Sequence, residues 1–206
     1  RAKREELRDQ GFAGVNVTIP HKEAAFAAVD RKESAASRLG AVNTIALASD
    51  TIRGHNTDGR GFIDSLSSTR DWASGPALVL GAGGASRAVV CALLDAGVSD
   101  IRVSNRTRAR AEAVAALADT PDNSGAVRVF DWDARAQAGE DATLLVNTTS
   151  LGMQGAPPLD MPLDTLAATQ AVKATVADIV YVPLQTDLLA RAAQYGLTPV
   201  SGLGML

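Results

Sequence analysis

Val79-Leu80-Gly81-Ala82-Gly83-Gly84-Ala85-Ser86-Arg87-Ala88 decides the fold, because an apolar run breaks into glycines and then resumes with helical spacing. Ala77 to Leu80 read as a short buried strand, and Ser86 to Ala96 as the helix that follows. Gly81 permits a sharp turn where a β-carbon would clash, and Gly83 lets backbone come close to a pyrophosphate. The start of the helix then offers free N–H groups and a partial positive charge to an anion. Against the Gly-x-Gly-x-x-Gly/Ala pattern the third position is Ser86, small but not the expected residue. An ordinary glycine-rich turn is the competing reading; the strand before and the helix after favour a phosphate cradle.

Downstream, strands and helices alternate, the sign of a parallel doubly wound sheet. The predicted strands are Ala77–Leu80, Ile101–Ser104, Val127–Phe130, Leu144–Asn147, Val176–Ile179 and Thr198–Val200. Helices are expected at Ser86–Ala96, Ala109–Ala118, Leu163–Leu166 and Thr186–Tyr195. About twenty residues beyond the glycine loop stands Ser104-Asn105-Arg106-Thr107-Arg108-Ala109-Arg110. An NAD-binding unit places an Asp or Glu here for the ribose 2′-hydroxyl. Arginines in that place bind a 2′-phosphate, and no carboxylate repels it, so the pattern favours NADP. Read blandly, this is a solvated basic helix start, but positive charge there is unfavourable without an anion.

Upstream, residues 1–10 suit an exposed helix ending near Gly11, and Val15 to Ile19 alternate as a strand. Pro20 fits a first helical position, with the helix running to Asp30. Ser34–Leu39 is a second short helix closed by Gly40. Val42–Leu47 and Thr51–Gly54 read as strands joined by a turn at Ser49-Asp50, and Asp58 precedes the helical pattern Phe62, Ile63, Leu66. The polar stretch Ser67 to Gly75 is the expected linker between domains 1–72 and 73–200, an α/β unit and a Rossmann unit. Residues 201–206 would start a segment returning to the first domain.

The polar residues of the first domain gather at Asn16/Thr18/Lys22, Asn43/Thr44 and Asn56/Thr57/Asp58, each at the edge of a predicted strand. Lys22 falls in a first helical turn, where the dipole opposes its charge, a direction useful to a proton donor or acceptor. Taken alone it is also an ordinary surface lysine. Asp58 equally suits a helix cap, and Asn43 a turn. His21 and His55 lack a nearby third ligand and read as surface or capping residues, so no metal is expected. The single cysteine, Cys91, sits in the apolar helix after the glycine loop and reads as a packed small hydrophobe.

With 206 residues, 46% of them apolar, the chain can bury a full core. A net charge of −3 with interspersed signs gives no basic stripe for nucleic acid. There is no apolar run of membrane-spanning length and no signal-peptide pattern, so a cytoplasmic location is expected. The chain opens on Arg1 rather than Met and stops at Leu206 in a glycine-punctuated apolar segment, which suits a piece of a longer protein.

In order, Gly14-Val15-Asn16-Val17-Thr18-Ile19-Pro20-His21-Lys22, Gly40-Ala41-Val42-Asn43-Thr44, Gly54-His55-Asn56-Thr57-Asp58-Gly59 and Gly81-Ala82-Gly83-Gly84-Ala85 closely resemble the shikimate dehydrogenase family. Asn105-Arg106-Thr107, Asp178-Ile179-Val180-Tyr181-Val182-Pro183 and Gly202-Leu203-Gly204-Met205-Leu206 extend the match along essentially the whole chain. The resemblance implies an N-terminal substrate domain, a C-terminal NADP domain and a cleft between them. The implied reaction is the reversible NADPH-dependent reduction of 3-dehydroshikimate to shikimate in chorismate and aromatic amino acid biosynthesis. By motif position, Lys22 and Asp58 would be the proton-transfer pair, Thr18 and Asn43 would hold substrate hydroxyls, and Tyr181 would line the cleft. Gly81, Ala82, Gly83, Gly84 and Ala85 would take the pyrophosphate. Asn105, Arg106, Thr107 and Arg110 would hold the adenosine phosphate, and Thr149, Ser150, Ile179 and Gly202 would lie along the nicotinamide half.

The family's N-terminal strand and Ser-x-Ser carboxylate-binding segment are not within these residues, nor are its C-terminal Gln and return helix. This chain by itself is therefore expected to bind NADPH but to turn over shikimate poorly. Two other readings stay open. A quinate/shikimate dehydrogenase relative using NAD would favour an acidic residue in place of Arg106. A module that senses NADP without turnover would have no use for Lys22 and Asp58 together. A homodimer is compatible with the sequence.

Overall fold

The computed structural model describes residues 2–18, 20–47, 51–66, 72–118, 120–121, 123–168 and 173–205. The chain divides into two compact units, Arg1–Asp58 and Gly59–Leu206.

The first unit runs α1 (Ala2–Asp9), β1 (Gly14–Asn16), α2 (Lys22–Ala28), β2 (Arg31–Lys32), α3 (Ser34–Leu39), β3 (Thr44–Ala46) and β4 (Arg53–His55). Its four strands lie in the order β1-β3-β4-β2, with β2 parallel to β4 and the other pairs antiparallel. Val29, Ala36, Val42, Leu47 and Ile52 form its buried core, and Leu7, Val15, Phe26 and Ile45 pack against them. Gly40 closes α3 with φ +63°, the left-handed conformation that glycine adopts without a β-carbon penalty. Pro20 is not a first helical residue as expected. The His21 amide bonds the Thr18 carbonyl in a turn, and α2 starts only at Lys22. The strand expected over Val15–Ile19 ends at Asn16, and Ile19 and the Ser49-Asp50 turn lie outside the described residues.

The second unit takes up α4 (Asp58–Leu66) after its first residue, then β5 (Ala77–Leu80), α5 (Gly84–Asp95), β6 (Ile101–Asn105), α6 (Arg108–Ala118) and β7 (Val127–Asp131). A 3-10 turn at Trp132–Ala134 leads into α7 (Arg135–Ala138). There follow β8 (Leu144–Asn147), α8 (Asp164–Ala168), β9 (Thr175–Asp178), α9 (Asp187–Gln194), β10 (Thr198–Ser201) and a 3-10 turn at Gly202–Met205. The six strands are all parallel in the order β10-β9-β8-β5-β6-β7, the doubly wound Rossmann arrangement expected from the sequence.

Strand residues alternate between two cores, which is why β5 and β8 are apolar along almost their whole length. Ala77, Val79, Val103, Leu144 and Val146 face Val89, Leu93, Val114, Phe62 and Leu66. Leu78, Leu80, Leu145 and Val176 face Ala138, Leu166, Leu188 and Leu189. Because Phe62 and Leu66 belong to this core, the compact units divide after the first residue of α4, whereas the polar linker follows the helix; residues 67–71 of that linker lie outside the described residues. The Gly202–Met205 turn abuts α4: a β-carbon on Gly61 would stand 2.7 Å from the Met205 carbonyl oxygen. Cys91 is buried in α5. Among the described residues no helix is long and apolar enough to cross a membrane.

Candidate functional site

In the first unit, Lys22 and the polar clusters at residues 43–44 and 56–58 converge. Lys22 opens α2, and its carbonyl accepts from the Val42 amide at 3.0 Å, which ties the helix start to the segment entering β3. The Asn43 amide bonds the His55 carbonyl at 3.0 Å, registering that segment against the end of β4. Asn56 steers the chain into α4 by accepting from the Asp58 amide at 3.1 Å and donating to the Ala41 carbonyl.

The side chains meet as a consequence. Lys22 Nζ donates to Asp58 Oδ2 at 2.6 Å, with 26% and 16% of the two side chains exposed. Asn43 Nδ2 donates to Asp58 Oδ1 at 2.7 Å and to Thr57 Oγ1 at 3.0 Å. Its Oδ1 accepts from the Thr57 amide and from Thr44 Oγ1, both at 3.0 Å. Asn43 thus anchors both Asp58 and Thr57 through its side-chain amide. Thr18 is exposed nearby in sequence, just ahead of α2, and His21 is exposed. An ammonium and a carboxylate in contact and still reached by water form a unit able to pass a proton to a bound oxygen.

In the second unit, the glycine loop joins β5 to α5 at the point where strand order reverses, between β5 and β8. Gly81 has φ +106°, and a β-carbon there would stand 2.6 Å from Thr148 Oγ1. Thr148 holds the other side of the crevice by donating its hydroxyl to the Leu80 carbonyl at 2.7 Å. A β-carbon on Gly83 or Gly84 would meet nothing within 4 Å, and no side chain caps α5. The open backbone and the uncapped helix start fit a pyrophosphate, with Ala82 in the turn and Ala85 in the first turn of α5. Ser86 is fully buried in the first turn of α5.

At the end of β6, Asn105 Nδ2 donates to the Thr107 carbonyl at 2.9 Å and shapes the loop. Arg106, Thr107 and Arg110 are exposed. Arg108 is held by Asp131 at 2.8 Å and Glu112 at 2.9 Å, whereas among the described residues no carboxylate pairs with Arg106 or Arg110. The two uncommitted guanidiniums suit a 2′-phosphate.

Beyond β8 and β9, Thr149 is half-buried and Ser150 exposed; Ile179 is half-buried, Gly202 buried and Tyr181 46% exposed. Three residues here were not singled out from the sequence: Asn147, Asp178 and Thr186. Asp178 is buried, and its donors among the described residues are all neutral: Asn147, Thr186 and the Val180 amide. Burial pushes its carboxyl above the usual range against the downward pull of those three hydrogen bonds. A polar residue closing an apolar strand at the carboxyl edge of a parallel sheet is the signal that points to Asn147 and Asp178.

Residues 1–45 match the shikimate dehydrogenase substrate binding domain, and residues 65–137 match shikimate/quinate 5-dehydrogenase. The chain is 53% identical over 204 residues to shikimate dehydrogenase (NADP(+)) of Paramagnetospirillum magneticum, covering 97% of this chain and 71% of that protein. Among solved structures, shikimate 5-dehydrogenase from Thermus thermophilus in complex with NADP(H) and shikimate superposes with a TM-score of 0.81 at 37% identity, covering 99% of this chain and 72% of that one. Quinate dehydrogenase from Corynebacterium glutamicum in complex with NAD gives a TM-score of 0.86 at 29% identity, with the same coverage. The chain therefore belongs to the shikimate dehydrogenase family of NADP-dependent oxidoreductases.

Proposed function

We propose that the chain interconverts 3-dehydroshikimate and shikimate, with Lys22 as the group that moves the hydroxyl proton. The contact between Lys22 Nζ and Asp58 Oδ2 at 2.6 Å carries this reading. In the direction of reduction, the Lys22 ammonium donates a proton to the substrate's carbonyl oxygen, which becomes the hydroxyl as hydride reaches the carbonyl carbon. Asp58 keeps that ammonium aimed by accepting from it, and Asn43 fixes Asp58 through the other carboxylate oxygen. Thr18 is assigned to a substrate hydroxyl and Tyr181 to the substrate-facing side of the second unit.

NADPH, when bound, supplies the hydride. Residues Gly81 to Ala85 would hold its pyrophosphate, Asn105, Arg106, Thr107 and Arg110 its adenosine phosphate, and Thr149, Ser150, Ile179 and Gly202 its nicotinamide half. The uncommitted state of Arg106 and Arg110 supports NADP over NAD. Placement in the cytoplasm and a homodimeric assembly are further expectations, addressed by fractionation and by mass in solution.

The test is Lys22→Ala in the natural protein. It should lower kcat by roughly 10²–10⁴, the worth of a positioned acid or base, and leave NADPH affinity within about twofold. Near-normal turnover would return Lys22 to the surface, and a module that binds NADP without turnover would show no shikimate oxidation before or after the substitution.

A further inference from the structure

We propose that Asn147 and Asp178 form a positioning pair that sets the two loops holding the nicotinamide half of the cofactor. The inference rests on the assignment of Thr149, Ser150 and Ile179 to that half. Asn147 ends β8, Asp178 ends β9, and the two are register partners at the carboxyl edge of the sheet. Their exposures are 0% and 1%.

The Asn147 amide uses its full capacity on this task. Nδ2 donates to Asp178 Oδ1 at 2.9 Å and to the Leu151 carbonyl at 3.1 Å. Oδ1 accepts from the Thr149 amide at 3.0 Å and from Thr149 Oγ1 at 2.7 Å. The main chain of Asn147 adds a bond of 3.1 Å from the Ile179 amide to its carbonyl. Asp178 supplies the second half of the device: Oδ1 also accepts from the Val180 amide at 3.1 Å, and Oδ2 accepts from Thr186 Oγ1 at 2.7 Å.

One hydrogen-bonded network therefore fixes residues 149–151 and 179–180, the two segments leaving adjacent strands beside the crevice. A buried carboxylate answered only by neutral donors is unfavourable for stability alone. Its merit is two acceptor atoms on one short side chain, which three donors from different segments share. An asparagine at this position offers one acceptor oxygen, enough for Asn147 and Val180, and would meet Thr186 with its amide hydrogens instead. Thr186 also caps α9 by accepting from the Leu189 amide at 3.4 Å, which ties the start of that helix to the carboxylate.

The experiment titrates variants of the natural protein with NADPH and with 2′,5′-ADP, which carries the adenosine half and its 2′-phosphate but no nicotinamide. Asp178→Ala should weaken NADPH binding by about tenfold, the affinity equivalent of one hydrogen bond to a charged group, with 2′,5′-ADP binding unchanged. Its kcat should fall by about 10²-fold, the cost of a misplaced reacting group. Asp178→Asn should restore most of both losses. Leu188→Ala, which thins the buried core under α9 at a side chain outside the hydrogen-bonded network, should lower Tm yet keep the ratio of the two affinities.

Equal weakening of both ligands in Asp178→Ala, or a loss of the ratio in Leu188→Ala as large as in Asp178→Ala, would reduce the pair to a structural role and overturn the proposal. Should Asp178→Ala fail to fold, Asn147→Ser is read by the same ratio, since it releases Thr149 and Leu151 while keeping a polar atom beside the carboxylate. Ile179→Trp tests the underlying assignment. If it leaves NADPH affinity unchanged, the nicotinamide reading fails; if it weakens NADPH binding while Asp178→Ala does not, only the pair's role fails.

Discussion

Three arginines within five residues look alike on paper, and the structure separates them. Arg108 is taken by Asp131 and Glu112, while Arg106 and Arg110 keep their guanidiniums exposed at the end of β6. Arg106→Ala should therefore cost roughly 1.5–3 kcal/mol of NADPH affinity and almost none of NADH affinity, as read by parallel titrations. Equal losses for both would place the 2′-phosphate elsewhere. Lys22, Asn43 and Asp58 stood out in the sequence as polar residues at strand edges and helix starts, which are local features, while their proposed roles came from the family resemblance. That Asn43 spends its amide on Asp58 was not legible, since the bond spans fifteen residues and depends on the register of β3 against β4. Asp178 was hidden for a different reason: a carboxylate's burial is set by neighbours from β8 and α9, and its own residue type argues for the surface.

At the scale of elements, the parallel strands could be read nearly to the residue, because a buried parallel strand is a short apolar run between glycine, polar and helical punctuation. β2 could not be, as two exposed residues carry no period and pair with β4 only through tertiary placement. Nor could the turn and short helix over Trp132–Ala138, which lie too close together for helical spacing to register. The start of β6 shows how a charged group earns a place beside a core. Arg102 is buried and donates to Asp100, Asp141 and the Ala138 and Glu140 carbonyls, while Arg128 of β7 donates to Asp100 at 2.7 Å. Burial raises the Asp100 carboxyl, but hydrogen bonds and charge from Arg128 and Arg102 outweigh it, and its pKa lies below the usual 3.8. Between the folded and unfolded values the unfolded chain binds more protons, so this stabilisation is present above pH 3.8 and fades as pH falls through the folded value. Asp100→Asn should cost roughly 1.5–3 kcal/mol at pH 7 by denaturant midpoint, and the gap to the unsubstituted chain should narrow near pH 3. Asp178 titrates with the opposite sign, its contribution falling as pH rises, but both chains carry it and the difference cancels. A gap that is constant with pH would show that Asp100 acts by packing.

Over the whole molecule, the two units differ in how much core they own. Among its described residues the first buries the apolar side chains of Val29, Ala36, Leu39, Val42, Leu47 and Ile52 under a sheet of two- and three-residue strands, and units of its size bury only about 60% of the surface their unfolded chains expose. The second has a separate core on each face of six parallel strands. Opening free energy should follow that asymmetry. Native-state hydrogen exchange should be faster at Ile45 and Gly54 than at Val79 and Val146, which lie on adjacent strands at the centre of the larger sheet. NADPH sharpens the contrast, because the residues assigned to it between 81 and 202 all lie in the second unit. A ligand that binds only the folded form adds about 2.7 kcal/mol at a hundredfold excess over Kd, which slows exchange from that unit's global opening by about a hundredfold. Amides of β5 and β8 should gain that protection in full, and amides of β3 and β4 should gain little. A gain of the same size in both units would mean that they open as one, and the division of labour between a proton-transfer unit and a cofactor unit would then have no counterpart in their stability.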